Sequence, residues 1–192
     1  YLEAETYFGD NNEFLQTGIN LFLYINDKQE LKKIINKILN KSTISKELIG
    51  QSIFLINNYS EWKQNEILSI AKKSKNFFQK LSVRKVNKLE NLNNQKIKIG
   101  FVSCDLIKNH SVTYFLNNTI KNLDRSKFKI FIFSLNKKNE NDLSQNKLRK
   151  EVDEWYDLQE LNNQDIVNFI QDKEIQILFD LVGYTNSKRL EI

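Results

Sequence analysis

The sequence predicts two regions: an all-helical N-terminal segment, followed by a parallel β-sheet with helices on both faces. The overall fold class is therefore α/β. Two observations support this prediction. Apolar residues recur at helical spacing through residues 1 to about 82, and from Ile97 onward short apolar runs alternate with helical stretches. The chain of 192 residues is long enough for one or two domains with their own cores.

Within the helical segment, Asp27 precedes Glu30 by three residues, which is the spacing of a capping box at the start of a helix. Apolar residues follow at helical period. A second helix is expected to begin near Ser45, and a third to run from residue 61 to residue 81. Paired helices of this length are typical of a helical-repeat array or of a bundle, and no internal repeat decides between them.

Residues 83 to 96 are rich in Asn, Lys and Leu and lack strong periodicity, so we interpret them as a linker and place the domain boundary there. The domain of residues 97 to 192 then alternates strands with helices, as parallel sheets covered on both faces do. About half of a doubly wound nucleotide-binding unit is expected within the chain. The predicted strands are 97–103, 128–135, a short one near Trp155, and 175–182; the predicted helices are 112–123, 143–152 and 165–172.

Composition excludes several classes of protein. One cysteine cannot form an intramolecular disulfide, which fits a reducing compartment. The longest apolar run near the N-terminus, residues 21 to 25, is too short to span a bilayer, and nothing there resembles a signal peptide. Methionine is absent, and we interpret the chain as a fragment of a longer protein. The expected location is cytoplasmic, with no membrane partner.

The formal net charge of +5 does not indicate nucleic acid binding. Basic residues between Lys72 and Lys88 form a cluster, but the chain also has 24 acidic residues and an abundance of Asn and Ile. No RNA-binding aromatic motif, zinc knuckle or helix-turn-helix signature occurs. A solvated helix face explains the lysines better than a nucleic-acid footprint does.

The loop after the first predicted strand is the leading candidate site. Residues 97–103 lead into a polar loop with Asp105, Asn109 and His110, the only histidine of the chain. Ligands of open α/β sheets bind beyond the carboxyl ends of the strands, and helix N-termini favour anions. His110 either only caps or packs at the start of the helix, or acts as a base or hydrogen-bond donor oriented by Asp105. The residues alone leave both interpretations open.

A second polar turn follows the last strand, where Gly183 allows a close backbone approach and Tyr184 and Thr185 supply hydroxyl groups. We expect it at the same sheet edge as the His110 loop. Cys104 is interpreted as a small buried residue rather than a nucleophile. One histidine and one cysteine cannot furnish a typical zinc site, so no metal is expected.

Several spaced motifs, in order, resemble the protein O-GlcNAc transferase (Spindly-like) family. Members show a strand of the type IGYVS, an Asp-containing loop that ends in His, a helix with Phe-Leu, an Asp-Arg-x-x-Phe segment, a Trp-x-Asp segment and a strand ending in Asp-Leu-x-Gly-His/Tyr-Thr. The matching residues are Ile99 to Ser103, Asp105, His110, Tyr114 to Leu116, Asp124 to Phe128, Trp155 to Asp157, Asp180 to Thr185, and Arg189.

The resemblance implies a GT-B glycosyltransferase with two facing Rossmann-like domains and no metal requirement. It would transfer N-acetylglucosamine, or a related sugar, from a UDP- or GDP-sugar to Ser/Thr hydroxyls of proteins. The chain would comprise the end of a tetratricopeptide-like (TPR) array and the acceptor-side, N-terminal half of the catalytic region. UDP-GlcNAc is the implied co-substrate, without a further cofactor. The implied catalytic residues are His110 and Asp105, and the implied substrate-binding or donor-binding residues are Asn109, Ser111, Gly183, Tyr184 and Thr185.

An alternative is a non-catalytic relative whose helical array binds proteins. The interval from Asp105 to His110 is one residue longer than is usual in the family, and the helical segment lacks the histidine that members usually carry there. Whichever alternative holds, we expect the chain alone not to turn over, because half of a cleft neither encloses the substrate nor contacts the leaving group.

Overall fold

A computed structural model describes residues 9, 11–41, 43–59, 61–75, 81, 83, 95–137, 139, 141–185, 189 and 192. The described residues fall into two compact units. The helical unit contains those up to residue 79 together with those of 184–191. The α/β unit contains those of 80–183 together with Ile192. The predicted linker 83–96 lies mostly outside the described residues, and the predicted domain boundary there stays a prediction.

In its described residues, the helical unit contains four helices: α1 (Asn12–Tyr24), α2 (Lys28–Leu39), α3 (Lys46–Asn58) and α4 (Gln64–Ser74). They bury one apolar cluster, in which leucine and isoleucine side chains of the first three helices are fully buried beside Trp62. The helix predicted over residues 61–81 corresponds to α4. Its described part ends at Ser74; residues 76–80 lie outside the described part of the chain, so the predicted end at residue 81 stays a prediction.

Side chains next to the helix starts accept the first free N–H groups, which have no partner inside a helix. Asn11 caps α1, Asp27 caps α2 and Ser45 caps α3. The predicted capping residue Asp27 is confirmed, since its carboxylate accepts the backbone N–H of Glu30 at 3.1 Å. The box itself is half formed, because the N–H of Asp27 is donated to the carbonyl of Phe22 at 2.9 Å.

The α/β unit contains a four-stranded parallel sheet of order β3-β2-β1-β4. The predicted strands and helices are confirmed: the first strand has the predicted bounds, two helices begin one or two residues earlier than predicted, and the other elements with predicted bounds are shorter. The last strand ends at Asp180, two residues earlier than predicted, because the carboxylate of Asp180 accepts the N–H groups of Val182 and Gly183 and turns the chain. The elements are β1 (Ile97–Ser103), α5 (Ser111–Asn122), β2 (Phe128–Ser134), α6 (Leu143–Lys150), β3 (Glu154–Asp157), α7 (Asn163–Asp172) and β4 (Ile177–Asp180).

Two apolar clusters cover the two faces of the sheet. On β2, Ile130 and Ile132 pack with residues of α5 and α6, whereas Phe131 and Phe133 pack with residues of α7. This alternation follows from the two-residue period of a strand. Strand β4 lies at one end of the sheet order, and its four residues are exposed. None of the described helices combines the length and the apolarity needed to cross a bilayer.

Candidate active site

The candidate site begins where β1 ends. The last five residues of β1 are buried, and Ser103 is the final one. Its hydroxyl accepts the N–H of Asp105 at 3.0 Å, which turns the chain out of the sheet. The hydroxyl of Thr113 on α5 donates to the carbonyls of Asp105 at 3.0 Å and Ile107 at 2.9 Å. The loop of residues 104–110 is thus tied to the helix that it precedes.

His110 is the N-cap of α5 and lies beside Asp105. Its Nδ1 accepts the N–H of Val112 at 3.4 Å, and its Nε2 lies 3.9 Å from Oδ1 of Asp105. Because Nδ1 acts as an acceptor, the neutral ring carries its proton on Nε2. The side chains of His110 and Asp105 are 38% and 21% exposed, so a ligand can reach both. The geometry therefore presents an imidazole N–H donor beside a carboxylate.

Two further predicted residues flank His110. Asn109 has a φ of +63°, a left-handed conformation that asparagine tolerates better than most residues do. Its side-chain oxygen accepts the hydroxyl of Tyr114 at 3.1 Å. Ser111 is the first residue of α5 and is exposed. The structure therefore brings Asp105, Asn109, His110 and Ser111 together in one loop and helix start.

The second predicted turn follows β4. This strand runs parallel to β1, with Asp180 beside Val102, so Gly183 comes after the same edge of the sheet as the His110 loop. Gly183 has a φ of +52°, a conformation that favours glycine, and among the described residues no atom beyond its two chain neighbours lies within 4 Å of where a Cβ would be. Tyr184 and Thr185 group with the helical unit, and the side chain of Thr185 is outside the described part. Their part in the site stays a prediction.

Cys104 is half-buried, and its Sγ lies 3.5 Å from Oδ1 of Asp105. It packs against the cluster on the α7 face of the sheet but stays partly exposed, whereas the sequence predicted a small buried residue. In the described part of the chain, no three His, Cys, Asp or Glu side chains form a group that could hold a metal ion.

The residues after β2 and on α6 that hydrogen-bond to the backbone of this loop were not identified from the sequence. Asn136, two residues after β2, accepts the N–H of Leu106 at 3.1 Å through Oδ1 and donates to the carbonyl of Cys104 through Nδ2. Gln145 on α6 donates to the carbonyl of Leu106 at 3.4 Å. The sequence shows only that Asn136 is a polar residue just after an apolar strand; that the end of this strand adjoins the end of β1 is decided by the fold.

Asp142, the N-cap of α6, is the third missed residue. Its Oδ1 accepts the N–H groups of Ser144 at 2.9 Å and Gln145 at 3.0 Å, while its Oδ2 accepts the N–H of Lys108 at 2.8 Å. Burial acts to raise the pKa of this carboxyl, but the N–H groups of Gln145, Lys108 and Ser144 outweigh burial and hold the pKa below its usual value. The capping role was visible in the sequence, and the contact with Lys108 was not.

Curated relatives share part of the chain. It is 28% identical over 98 residues to the probable UDP-N-acetylglucosamine–peptide N-acetylglucosaminyltransferase SEC of Arabidopsis thaliana, a match of 51% of this chain and 10% of SEC. The similarly named SPINDLY of the same plant is 28% identical over 96 residues, which cover 49% of this chain and 10% of SPINDLY. The matches thus span about a tenth of these relatives.

The fold also matches a solved structure. A mutant of the O-GlcNAc transferase of Thermobaculum terrenum superposes with a TM-score of 0.66 and 18% identity, over 84% of this chain and 31% of that chain. At this identity the likeness concerns the fold alone. The family model described as glycosyl transferase family 41 matches residues 67–192, which include all four strands and both polar turns. The chain therefore belongs to glycosyl transferase family 41.

Proposed function

We propose that the protein is a protein O-glycosyltransferase that transfers N-acetylglucosamine from UDP-N-acetylglucosamine to Ser/Thr hydroxyls, and that this chain supplies the acceptor-side half of its active site. The observation that carries the proposal is the pair of His110 and Asp105, 3.9 Å apart beyond the carboxyl end of β1 in a family 41 chain. The activity for which the two plant relatives are named supports the donor and the peptide acceptor.

In the proposed reaction, the acceptor hydroxyl attacks the anomeric carbon of the sugar while the bond from that carbon to the diphosphate oxygen breaks, and the proton of the hydroxyl leaves with the diphosphate. Negative charge develops on the leaving diphosphate, and preorganised N–H donors stabilise it. His110 supplies one such donor through Nε2, and Asp105 keeps the ring oriented. The start of α5 at Ser111 adds the positive end of a helix dipole.

The remaining predicted site residues are proposed to bind the nucleotide-sugar donor or the acceptor substrate. Asn109 and Ser111 flank His110 and are exposed, which supports a contact with the sugar or the diphosphate. Gly183, Tyr184 and Thr185 are proposed to line the site from the turn after β4. We propose a nucleotide sugar and a protein or peptide as the only partners in the reaction, with no metal and no further cofactor, in the cytoplasm.

The test compares two variants of His110 in the full-length protein with UDP-N-acetylglucosamine and an acceptor peptide. His110→Asn keeps an acceptor for the N–H of Val112, since asparagine is a good N-cap, but it lacks the imidazole. His110→Ala loses both. We expect both variants to lose roughly a hundredfold to a thousandfold in kcat, the usual effect of removing a preorganised donor.

Thermal melting is the control for this experiment. His110→Asn is expected to melt as the wild type does, whereas His110→Ala melts earlier because α5 has lost its cap. Transfer at the wild-type rate by a folded His110→Asn protein would contradict the assigned role. Binding of a peptide without any sugar transfer by the wild type would contradict the proposed function.

A further inference from the structure

We propose that Asn136 and Asp142 are positioning residues, which hold the backbone of the His110 loop so that His110 and Asp105 face one another. This inference rests on the proposed function and concerns the same site. Both residues lie between β2 and α6, about thirty residues beyond the loop in sequence, and their hydrogen bonds reach the loop backbone next to Asp105 and His110. They act through Leu106 and Lys108.

The first contact fixes the start of the loop. Asn136 uses both ends of its amide, accepting from Leu106 and donating to Cys104, so it spans the backbone on both sides of Asp105. Its own N–H is donated to the hydroxyl of Ser134 at 3.3 Å, which fixes it to the end of β2. Leu106 is fully buried beneath the loop. The backbone around Asp105 is therefore fixed by the buried side chain of Leu106 and by the side-chain amide of Asn136.

The second contact fixes the end of the loop. Asp142 is buried, and only one of its oxygens is needed to cap α6; the other accepts the N–H of Lys108. Lys108 and Asn109 are the central residues of a turn closed by a hydrogen bond of 3.4 Å from the N–H of His110 to the carbonyl of Ile107. Holding Lys108 thus sets where His110 enters α5.

Two substitutions break the contact between Asp142 and Lys108 from opposite sides. Asp142→Asn removes one of two acceptor oxygens; because asparagine is a good N-cap, the remaining oxygen caps α6 and the bond to Lys108 is lost. Lys108→Pro removes the N–H and leaves the cap intact; proline fits the second position of a turn whose third residue has a positive φ, as Asn109 has. Asn162→Ala is the matched control, since it removes the N-cap of α7 on the other face of the sheet.

The measurements are kcat for sugar transfer in the full-length protein, the melting temperature, and the ring ¹⁵N shifts of His110, assigned with His110→Asn. We expect each loop variant to lower kcat by roughly tenfold to a hundredfold, as small misplacements of reacting groups do. The double variant should lose no more than the worse single one, because both remove the same bond. The ring ¹⁵N shifts of His110 should differ from those of the wild type in Asp142→Asn, in Lys108→Pro and in the double variant.

The control Asn162→Ala should lower the melting temperature and leave both kcat and the His110 ring signals unchanged. Wild-type kcat and ring shifts in a folded Asp142→Asn protein would overturn the proposal. So would losses of kcat that follow the melting temperature in every variant, the control included. If the wild type transfers no sugar, the proposed function fails, and the ring shifts alone decide the positioning role.

Discussion

The two units bury polar side chains very differently. Of the seven buried polar side chains in the described residues, only Ser52 and Ser74 belong to the helical unit. The other five lie around the carboxyl ends of β1 and β2 and the loops beyond them: Ser103, Thr113, Ser134, Asp142 and Gln145. A buried polar group is costly unless it is hydrogen-bonded. Their concentration at one edge marks the part of the molecule where the loop backbone needs support.

The range of the hydrogen bonds that side chains accept from backbone N–H groups differs in the same way. In the helical unit, the caps at Asn11, Asp27 and Ser45 bond to N–H groups two or three residues ahead. At the sheet edge, Asn136 and Asp142 reach backbone groups 30 and 34 residues away. Paired helices therefore need apolar stripes and local caps, whereas the candidate active site needs bonds between distant segments.

The largest expected effect tests whether apolar burial stabilises the helical unit. Ile35 on α2 is fully buried in its core. Ile35→Ala is expected to lower the free energy of unfolding by about 2–5 kcal/mol, because it removes apolar contacts and leaves a cavity. The measurement is amide hydrogen exchange in α1 to α3. Leu68→Ala, at a position 56% exposed on α4, is the matched control and should have little effect; equal effects of both would refute the comparison.

The next effect tests the packing of the sheet. A Cβ at Gly100 would lie 2.8 Å from Phe133, which is fully buried and has no room to move, and 2.9 Å from Leu178. Gly100→Ala is expected to destabilise the α/β unit by about 1–3 kcal/mol through overpacking. Urea unfolding measures this change. Lys121→Ala on the exposed side of α5 serves as the control, and equal midpoints for the two variants would contradict the prediction.

A smaller effect distinguishes the carboxylate cap, Asp142, from the hydroxyl cap, Ser45, by how the stability that each contributes depends on pH. The folded pKa of Asp142 is below its ordinary value of 3.8, so its carboxylate stabilises the folded state at higher pH, and this contribution is lost as the pH falls through the folded pKa. Asp142→Asn should therefore cost about 1–2 kcal/mol near neutral pH, and progressively less below about pH 4.

The matched variant for this titration is Ser45→Ala in the helical unit. Its hydroxyl accepts the N–H of Leu48 at 3.2 Å and does not titrate, so a loss of about 1 kcal/mol should persist at every pH where the protein folds. Denaturant unfolding of both variants and the wild type from pH 3 to 7 gives the two differences. A pH-independent cost for Asp142→Asn would show that its charge has no part in holding the loop.

The smallest expected effect concerns a surface ion pair of the helical unit. Lys33 pairs with Glu30 one turn earlier on α2, and the lysine side chain is 71% exposed. Lys33→Gln should change the free energy of unfolding by about 0.5 kcal/mol or less, because water and salt screen exposed charges. A loss above that of Ser45→Ala would mean that the helical unit depends on charge more than on apolar burial and caps.

Local patterns were enough to predict most of the fold. The alternation of apolar runs and helical stretches predicted each strand to within two residues of its ends, and Asp27 predicted its own helix start. The pairing of His110 with Asp105 was also within reach, since only five residues separate them on one loop. The start of α1 was not identified, because Asn11 precedes it without a distinct change in composition.

Residue type and spacing therefore established the elements, the parallel sheet and the loop that carries His110, because those signals are local. Folding added what has no local signal: the register of Ser103 with Ser134, and the contacts of Asn136 and Asp142 with a loop thirty residues earlier. A side chain two residues after a strand has no fixed partner until the neighbouring strand is aligned beside it. The support of the candidate active site is for that reason a property of the packed sheet.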